Sequence, residues 1–463
     1  MIWELDATGL AAAYRSGEAD PVTAVRELRD RIRQIDPVLN TFVALNEQAE
    51  DEAANSARRL RAGAPRGPLE GVPLAVKDNL VVAGIPAAWG SRVFADKLCA
   101  EDELPIRRLR EAGAIVLGKT NTPEFAVEGY TANALFGVTR NPWNPELTPG
   151  GSSGGSVAAV AAGLAPAAIG TDGGGSIRRP AAYTGLFGLK PTTGRVARNG
   201  GLPQVLLDFE VVGPLTRSAR DLRLIYAALA GPDRVDPRSR GVPGAQTRDR
   251  PLRILYVETF GDAPCDPAIR GSVGAAADRL ATLGHSVERG ALPFSLDALN
   301  AFWGKVAQVG LARMREVVPG MAEKASPQYL AMADEGEKVS AREFLAGLEC
   351  VQALRSDVSR AFADWDVIMT PACAAQPWAA DVAYPETIDG QPVGPRGHAI
   401  YTGWVNACGH PAVAVPGDPA PDGMPIGFQL VGDLGAEDLL LDLAEAHEVT
   451  VGGKTVWPDV ARG

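Results

Sequence analysis

The chain alternates helical segments with apolar runs that are too short to form helices. Residues 72–76 and 114–118 are two such runs, and a helical segment at 106–112 lies between them. A short apolar run next to a helix is typical of a strand that is buried on both faces. Such strands occur in sheets that helices cover on each side. The alternation therefore predicts an α/β fold.

Further along the chain the same pattern returns. Residues 253–257, 366–371 and 411–416 are apolar strand candidates, and they follow a polar, proline-rich connection at 231–252. Strand candidates thus lie both before and after this connection. We therefore predict one large domain over residues 1–463, not two.

Charge and composition exclude several classes of protein. The formal net charge is -11, whereas proteins that bind nucleic acids present basic surfaces, so we expect no nucleic-acid partner. The five cysteines form no CxxC pair and the four histidines form no HExxH motif, which argues against a disulfide framework and a zinc site. The N-terminus has no signal-peptide pattern, and no apolar run is long enough to span a bilayer. We expect a cytoplasmic protein with no membrane partner.

Two glycine-rich loops are the densest local signal. Residues 149–156 read Pro-Gly-Gly-Ser-Ser-Gly-Gly-Ser, and residues 170–178 read Gly-Thr-Asp-Gly-Gly-Gly-Ser-Ile-Arg. Glycine-rich backbone can turn its N–H groups towards an anion or a developing oxyanion, and it can approach a substrate closely. Taken alone, however, a Gly-Ser run is more often a plain loop.

Three well-known glycine-containing motifs do not account for these loops. The first loop fits G-x-S-x-G with Ser153 as nucleophile, but that motif follows a buried strand, and residues 141–146 (Asn-Pro-Trp-Asn-Pro-Glu) are no strand. Neither the dinucleotide motif nor the P-loop motif occurs here. A non-catalytic protein that binds anions through the loops stays open, and it would not depend on Ser176 or Lys77.

Both loops and many other segments closely resemble the amidase signature family. The matching segments occur in order along nearly the whole chain: 71–79, 118–121, 123–125, 141–143, 150–156, 170–172, 174–178, 180–182, 188–192, 213–215, 409–412 and 423–429. The resemblance implies one α/β/α domain with a large mixed central sheet, in which residues 233–362 are the divergent, mostly helical part. It also implies hydrolysis of an amide bond without a metal or an organic cofactor.

The resemblance assigns catalytic roles by position. Ser176 matches the nucleophile, Ser152 the bridging serine that follows a cis peptide bond, and Lys77 the general base. The chemistry is coherent, because a serine hydroxyl needs a base and no histidine lies near either loop in the sequence. Lys77 ends an apolar run, where burial would favour the neutral amine. The alternative for Lys77 alone is a surface lysine paired with Asp78.

The second loop also supplies the predicted oxyanion hole, from the backbone N–H groups of Gly173, Gly174, Gly175 and Ser176. At Gly173 the family usually carries a larger residue, so we expect a more flexible loop. Asp172 and Arg178 are close in sequence and are expected to form an ion pair that holds the loop.

Arg179 has no obvious carboxylate partner, because residues 180–207 contain no Asp or Glu. We predict that it binds a carboxylate of the substrate, and the alternative is an ion pair that only supports the structure. The predicted substrate-binding residues are Arg179, Tyr130 and Ser153. Three further aromatic residues are candidates for the pocket wall: Trp303, Tyr401 and Trp404.

The sequence therefore predicts an amidase that cleaves the carbon–nitrogen bond of a small-molecule amide through an acyl-enzyme on Ser176. The rival function is that of the A subunit of a tRNA-dependent glutamyl/aspartyl amidotransferase, which shares this machinery but passes ammonia to a partner. The small-molecule function needs no nucleic acid, and a homodimer is left open. The sequence does not name the amide.

Overall fold

An eleven-stranded mixed sheet crosses the domain, and its strand order is β1-β3-β2-β6-β8-β7-β14-β15-β11-β9-β10. The computed structural model describes residues 1–246, 248, 250–453 and 455–462. The strands, including two small ribbons (β4-β5 and β12-β13), are β1 Phe42–Leu45, β2 Pro73–Lys77, β3 Ile115–Thr120, β4 Ala132–Asn133, β5 Gly137–Val138, β6 Ala167–Asp172, β7 Phe187–Lys190, β8 Val211–Thr216, β9 Arg253–Tyr256, β10 Ser286–Arg289, β11 Val367–Pro371, β12 Thr387–Ile388, β13 Gln391–Pro392, β14 Ala412–Pro416 and β15 Gly427–Gly432.

The helices surround this sheet. They are α1 Ala7–Ser16, α2 Pro21–Leu39, α3 Ala49–Arg61, α4 Leu104–Glu111, α5 Gly154–Ala161, α6 Arg178–Thr184, α7 Ala219–Leu229, α8 Pro267–Thr282, α9 Asp297–Val317, α10 Met321–Lys324, α11 Pro327–Glu337, α12 Ala341–Asp364, α13 Gly403–Cys408, α14 Glu437–Thr450 and α15 Asp459–Arg462. Short 3-10 helices occur at Ile2–Glu4, Glu124–Ala126, Pro237–Gly241 and Gly397–Ala399. None of the helices described combines the length and the apolar character needed to cross a membrane.

Strand β2 shows that helices cover both faces of the sheet. Leu74 and Val76 pack in one apolar cluster with Ile225 of α7, whereas the intervening Ala75 packs in another cluster with Val157 of α5. Successive side chains of a strand point to opposite faces, so both faces of β2 are covered by helices. This arrangement confirms the predicted single α/β domain with a large mixed sheet.

Local sequence signals explain the helix starts that the sequence predicted. The carboxylate of Asp20 accepts a hydrogen bond of 2.8 Å from the backbone N–H of Val22, and Pro21 occupies the first turn of α2. Asp266 caps α8 in the same way, with a 2.8 Å hydrogen bond from the N–H of Ala268. An aspartate cap satisfies N–H groups that have no partner inside the helix.

Strand β8 was not predicted, because its sequence Val-Val-Gly-Pro-Leu-Thr contains glycine and proline, which are both unfavourable in a central strand. The structure shows why glycine is needed there: a Cβ atom at Gly213 would collide with the carbonyl oxygen of Leu189 in the neighbouring β7. Strand β15, at Gly427–Gly432, was likewise seen only as a motif and not as a strand.

The sheet brings Lys77 and the second glycine loop together. Strands β2 and β6 are parallel neighbours, with Val76 opposite Ile169, so their carboxyl ends lie at the same edge of the sheet. Strand β2 ends at Lys77, and β6 ends at Asp172, where the second glycine loop begins. In open α/β sheets, ligands bind at the carboxyl ends of strands.

Candidate active site

Lys77 is fully buried at the end of β2 and faces both glycine loops. Its Nζ atom lies 2.8 Å from Ser152 Oγ and 2.8 Å from Thr171 Oγ1. Asp78 instead pairs with Lys119, at 3.4 Å, so the alternative of a surface Lys77–Asp78 pair is wrong. Thr171, which the sequence did not single out, also accepts a 2.9 Å hydrogen bond from Asn79.

The surroundings of Lys77 favour its neutral form. Burial lowers the pKa of Lys77 to about 7, because a charged ammonium loses its hydration inside the protein. The guanidinium groups of Arg198 and Arg179 lower this pKa further, whereas the carboxylates of Glu210 and Asp172 raise it. A large share of Lys77 can therefore act as a base near neutral pH.

The first glycine loop positions Ser152. The Gly151–Ser152 peptide bond is cis, as the resemblance implies. A Cβ atom at Gly151 would collide with the carbonyl oxygen of Tyr130, so the close approach of these two backbone segments requires glycine. Tyr130 itself is half-buried, and its side chain is not among the residues that line the catalytic cavity, contrary to the prediction.

Ser153 joins the two loops and does not face the catalytic cavity. Its backbone N–H donates to the carbonyl oxygen of Ser176 at 3.2 Å, and its hydroxyl donates to the carbonyl oxygen of Thr171 at 3.2 Å. Ser153 is fully buried, so its predicted role in contacting substrate is corrected to a structural one.

The second loop is held by the buried ion pair of Asp172 and Arg178. Arg178 donates to both carboxylate oxygens of Asp172, at 2.9 and 3.0 Å, as the sequence predicted. Asn406 of α13 donates to the same carboxylate at 2.9 Å. Burial alone would raise the pKa of Asp172, but the Arg178 guanidinium holds it far below its usual range. Asp172 is therefore charged at any ordinary pH.

Three of the four predicted oxyanion donors are free. The N–H of Gly175 donates to Asp172 at 2.7 Å, which removes Gly175 from the predicted oxyanion hole. In the described part of the chain, the backbone N–H groups of Gly173, Gly174 and Ser176 have no acceptor. A Cβ atom at Gly173 would collide with the side chain of Leu206, which is consistent with glycine at a position where the family usually has a larger residue.

A cavity of about 750 Å³ opens over Ser176. One side of its wall is polar and contains Glu128, Arg179, Arg396 and His398. The other side is mainly apolar, and helix α9 contributes to it. Trp303 and Trp404 line the cavity as predicted, whereas Tyr401 is fully buried in the core and donates to the carbonyl oxygen of Glu258 at 3.0 Å.

Arg179 lies in the cavity wall without an acidic partner. Its Nη1 atom is 3.1 Å from His398 Nε2, and its Nε atom is 3.4 Å from the carbonyl oxygen of Gly175. No carboxylate pairs with Arg179 within the described ranges, so the alternative of a structural ion pair finds no support there. Burial, together with Arg179 and Arg396, holds the pKa of His398 well below its usual range, so this imidazole is neutral.

Several residues of the site were missed from the sequence. His398 lies in the cavity although it is far from both loops along the chain, and Glu128 and Arg396 gave no local signal. Thr171 could have been found, since it belongs to the second glycine loop. No cluster of three or more potential metal-ligating side chains occurs among the described residues.

Comparison with known proteins gives consistent results. Residues 23–441 match the Amidase family. The A subunit of the glutamyl-tRNA(Gln) amidotransferase of Symbiobacterium thermophilum is 35% identical over 476 residues, which cover 96% of each chain. Among solved structures, a bacterial aryl acylamidase of the amidase signature family has a TM-score of 0.89 at 29% identity over 99% of each chain, and 6-aminohexanoate cyclic dimer hydrolase has a TM-score of 0.88 at 29% identity over 99% of each chain.

These relatives correct one prediction. Similar curated proteins are named as subunits of a tRNA-dependent amidotransferase, so the expectation of no nucleic-acid partner, which rested on the net charge alone, does not hold. The net charge of a whole chain does not describe what a multi-subunit assembly binds. The extent of the family match and of the sequence identity together show that the chain belongs to the amidase signature family.

Proposed function

We propose that this chain hydrolyses a carbon–nitrogen amide bond through an acyl-enzyme on Ser176. The observation that carries the proposal is the buried Lys77, whose Nζ atom lies 2.8 Å from Ser152 Oγ beside the cavity that Ser176 lines. A neutral amine in contact with a serine hydroxyl is the arrangement that a general base requires.

In the proposed reaction, neutral Lys77 accepts the proton of Ser152, and Ser152 accepts the proton of Ser176 as Ser176 Oγ attacks the amide carbonyl. The free N–H groups of Gly173, Gly174 and Ser176 stabilise the tetrahedral oxyanion. The proton then returns through Ser152 to the leaving nitrogen, and ammonia or an amine departs. Water cleaves the acyl-enzyme by the same proton path, which releases the acid and restores Ser176.

The curated relatives support the function of an amidotransferase A subunit, in which the ammonia passes to a partner that acts on charged tRNA. The relative from Symbiobacterium thermophilum and that from Deinococcus deserti, which is 34% identical, each match over 96% or more of both chains. A cytoplasmic location is part of this proposal, and the five free cysteines are consistent with a reducing compartment.

A second function, that of an amidase that acts alone, is supported by a different observation. The cavity of about 750 Å³ has an apolar side formed in part by α9, and this is more space than a small polar amide fills. The solved structures named as an aryl acylamidase and a cyclic dimer hydrolase also support this function.

The two functions differ in what the reaction needs. If the chain is an A subunit, we expect ammonia release from glutamine to increase when the host's partner subunits and glutamyl-tRNA are added to the purified chain. The measurement is ammonia production with and without these additions. Efficient hydrolysis of aryl or alkyl amides by the chain alone, unchanged by the additions, would contradict the first function and support the second.

Ser176→Ala should abolish amide hydrolysis and leave the fold intact, because the side chain removed is only a hydroxyl at the cavity wall. A fluorophosphonate probe should label the wild type at Ser176, as peptide mass spectrometry would show. Ser153→Ala is the matched control and should still be labelled. A label on Ser153 in the wild type would overturn the assignment of the nucleophile.

Lys77→Ala should lose several orders of magnitude in kcat/KM, because members of a catalytic triad act as a unit. In the wild type, kcat/KM should fall as pH decreases through about 7, the pKa to which burial lowers Lys77. His398→Ala should lose far less activity, since the His398 imidazole contacts Arg179 and not a serine. A loss of the acid limb in His398→Ala would assign that limb to the histidine.

Glu210→Gln tests the same base by moving its pKa. The Glu210 carboxylate favours protonated Lys77, so its removal should lower the pKa of Lys77. Activity should then persist to lower pH than in the wild type. Glu343→Gln, which removes an exposed carboxylate from α12, is the control and should not shift the profile.

Arg179→Ala tests the proposed recognition of an acidic substrate. We expect transition-state binding to acidic amides to weaken by roughly 2–5 kcal/mol, as for other buried charge pairs, with little effect on neutral amides. The measurement is the ratio of kcat/KM for an acidic amide to that for its neutral analogue, in the wild type and in the variant. An unchanged ratio would leave Arg179 a structural residue.

A further inference from the structure

A recess in the cavity wall lies over Gly403, the first residue of α13. A Cβ atom built at Gly403 would lie 3.4 Å from Trp303 Nε1 and 3.7 Å from Arg396 Nη2. Two N–H donors, one from α9 and one from the segment before α13, therefore border the same small space. Neither side chain makes a hydrogen bond to the described residues, and Arg396 is exposed to the cavity.

This recess is close to the reacting centre. A Cβ atom at Gly174 would lie 3.6 Å from Trp303 Nε1, so the indole N–H is next to the glycine loop that leads to Ser176. The indole is held in place by Phe209, whose ring centroid is 5.2 Å from that of Trp303. The donor direction of Trp303 is thus set by packing before any ligand arrives.

The charges of the cavity wall favour an anion. Arg179 and Arg396 both line the cavity, and burial together with the nearby Arg179 guanidinium lowers the pKa of Arg396, which shows that the two positive groups interact. Glu128 is the acidic residue of this wall, and no ion pair joins it to either arginine within the described ranges. With His398 neutral, two positive groups face one carboxylate, so the wall has an excess of positive charge.

We propose that Arg396 and Trp303 bind a carboxylate of the amide substrate in the recess over Gly403. The guanidinium supplies charge and a hydrogen bond through Nη2, and the indole supplies a neutral donor of fixed direction. Leu299 and Met332 belong to the apolar side of the cavity and would contact a hydrocarbon chain. The substrate class is then a monoamide of a dicarboxylic acid. This inference rests on the proposed hydrolysis at Ser176.

The kinetic experiment compares glutaramate and adipamate with the neutral amides pentanamide and hexanamide. Arg396→Gln should lower the ratio of kcat/KM for acidic over neutral amides by about 30-fold or more. Gly403→Ala should lower the same ratio, because the added methyl group fills the recess at ordinary van der Waals distances from its neighbours. Glu128→Gln should raise the ratio by about 3-fold or more, because it removes a carboxylate that repels the substrate.

The matched control is Arg313→Gln, which removes an exposed arginine from the same helix as Trp303 and should leave the ratio unchanged. Trp303→Phe keeps a ring but removes the N–H, and it should lower the ratio in the same direction as Arg396→Gln. An unchanged ratio in both Arg396→Gln and Gly403→Ala would overturn the proposal.

A binding measurement separates this proposal from the proposed reaction. Titration calorimetry of glutarate with Ser176→Ala needs no turnover, and adding Arg396→Gln to that variant should raise the Kd of glutarate by about 30-fold or more. If the wild type hydrolyses neither series of amides while glutarate binding depends on Arg396, the reaction is wrong and the recess stands. If neutral amides are hydrolysed but the Kd of glutarate does not depend on Arg396, the recess is wrong and the reaction stands.

Discussion

The ion pair of Asp172 and Arg178 is the interaction on which the site depends. Both side chains are fully buried, and they connect the end of β6, the glycine loop and the start of α6. Arg178 also donates to Gln429 of β15 at 2.8 Å, and Asn406 of α13 reaches Asp172. Removing one partner would leave a buried charge, at a cost of about 3–5 kcal/mol. The loop geometry is therefore enforced from several parts of the fold.

Burial has opposite consequences for the two kinds of basic group at this site. Lys77 loses its hydration without gaining an ion pair among the described residues, so its amine becomes a base near neutral pH. Arginine keeps its proton in proteins, so Arg179 and Arg396 stay charged in the cavity wall. The same enclosure thus gives a neutral base on one side of Ser176 and a positive wall on the other.

The accuracy of the sequence predictions depended on how local their signals were. The Asp20 cap and the run ending at Lys77 are short patterns, and the structure has both where the sequence placed them. Strand β8 was missed because its need for glycine arises from the neighbouring β7. Gly175 and Ser153 were misassigned because only the folded chain shows that the N–H of one and the hydroxyl of the other are already used in hydrogen bonds.

The sequence by itself determined the α/β class, the family and the two glycine loops, because these follow from the types and spacing of residues that are close along the chain. Tertiary structure decided that Lys77 contacts Ser152 and Thr171, and that Trp303 and Arg396 meet over Gly403. Those positions depend on how β2, β6, α9 and α13 pack around the sheet. Contacts between distant segments are set by packing, which no short pattern in the sequence records.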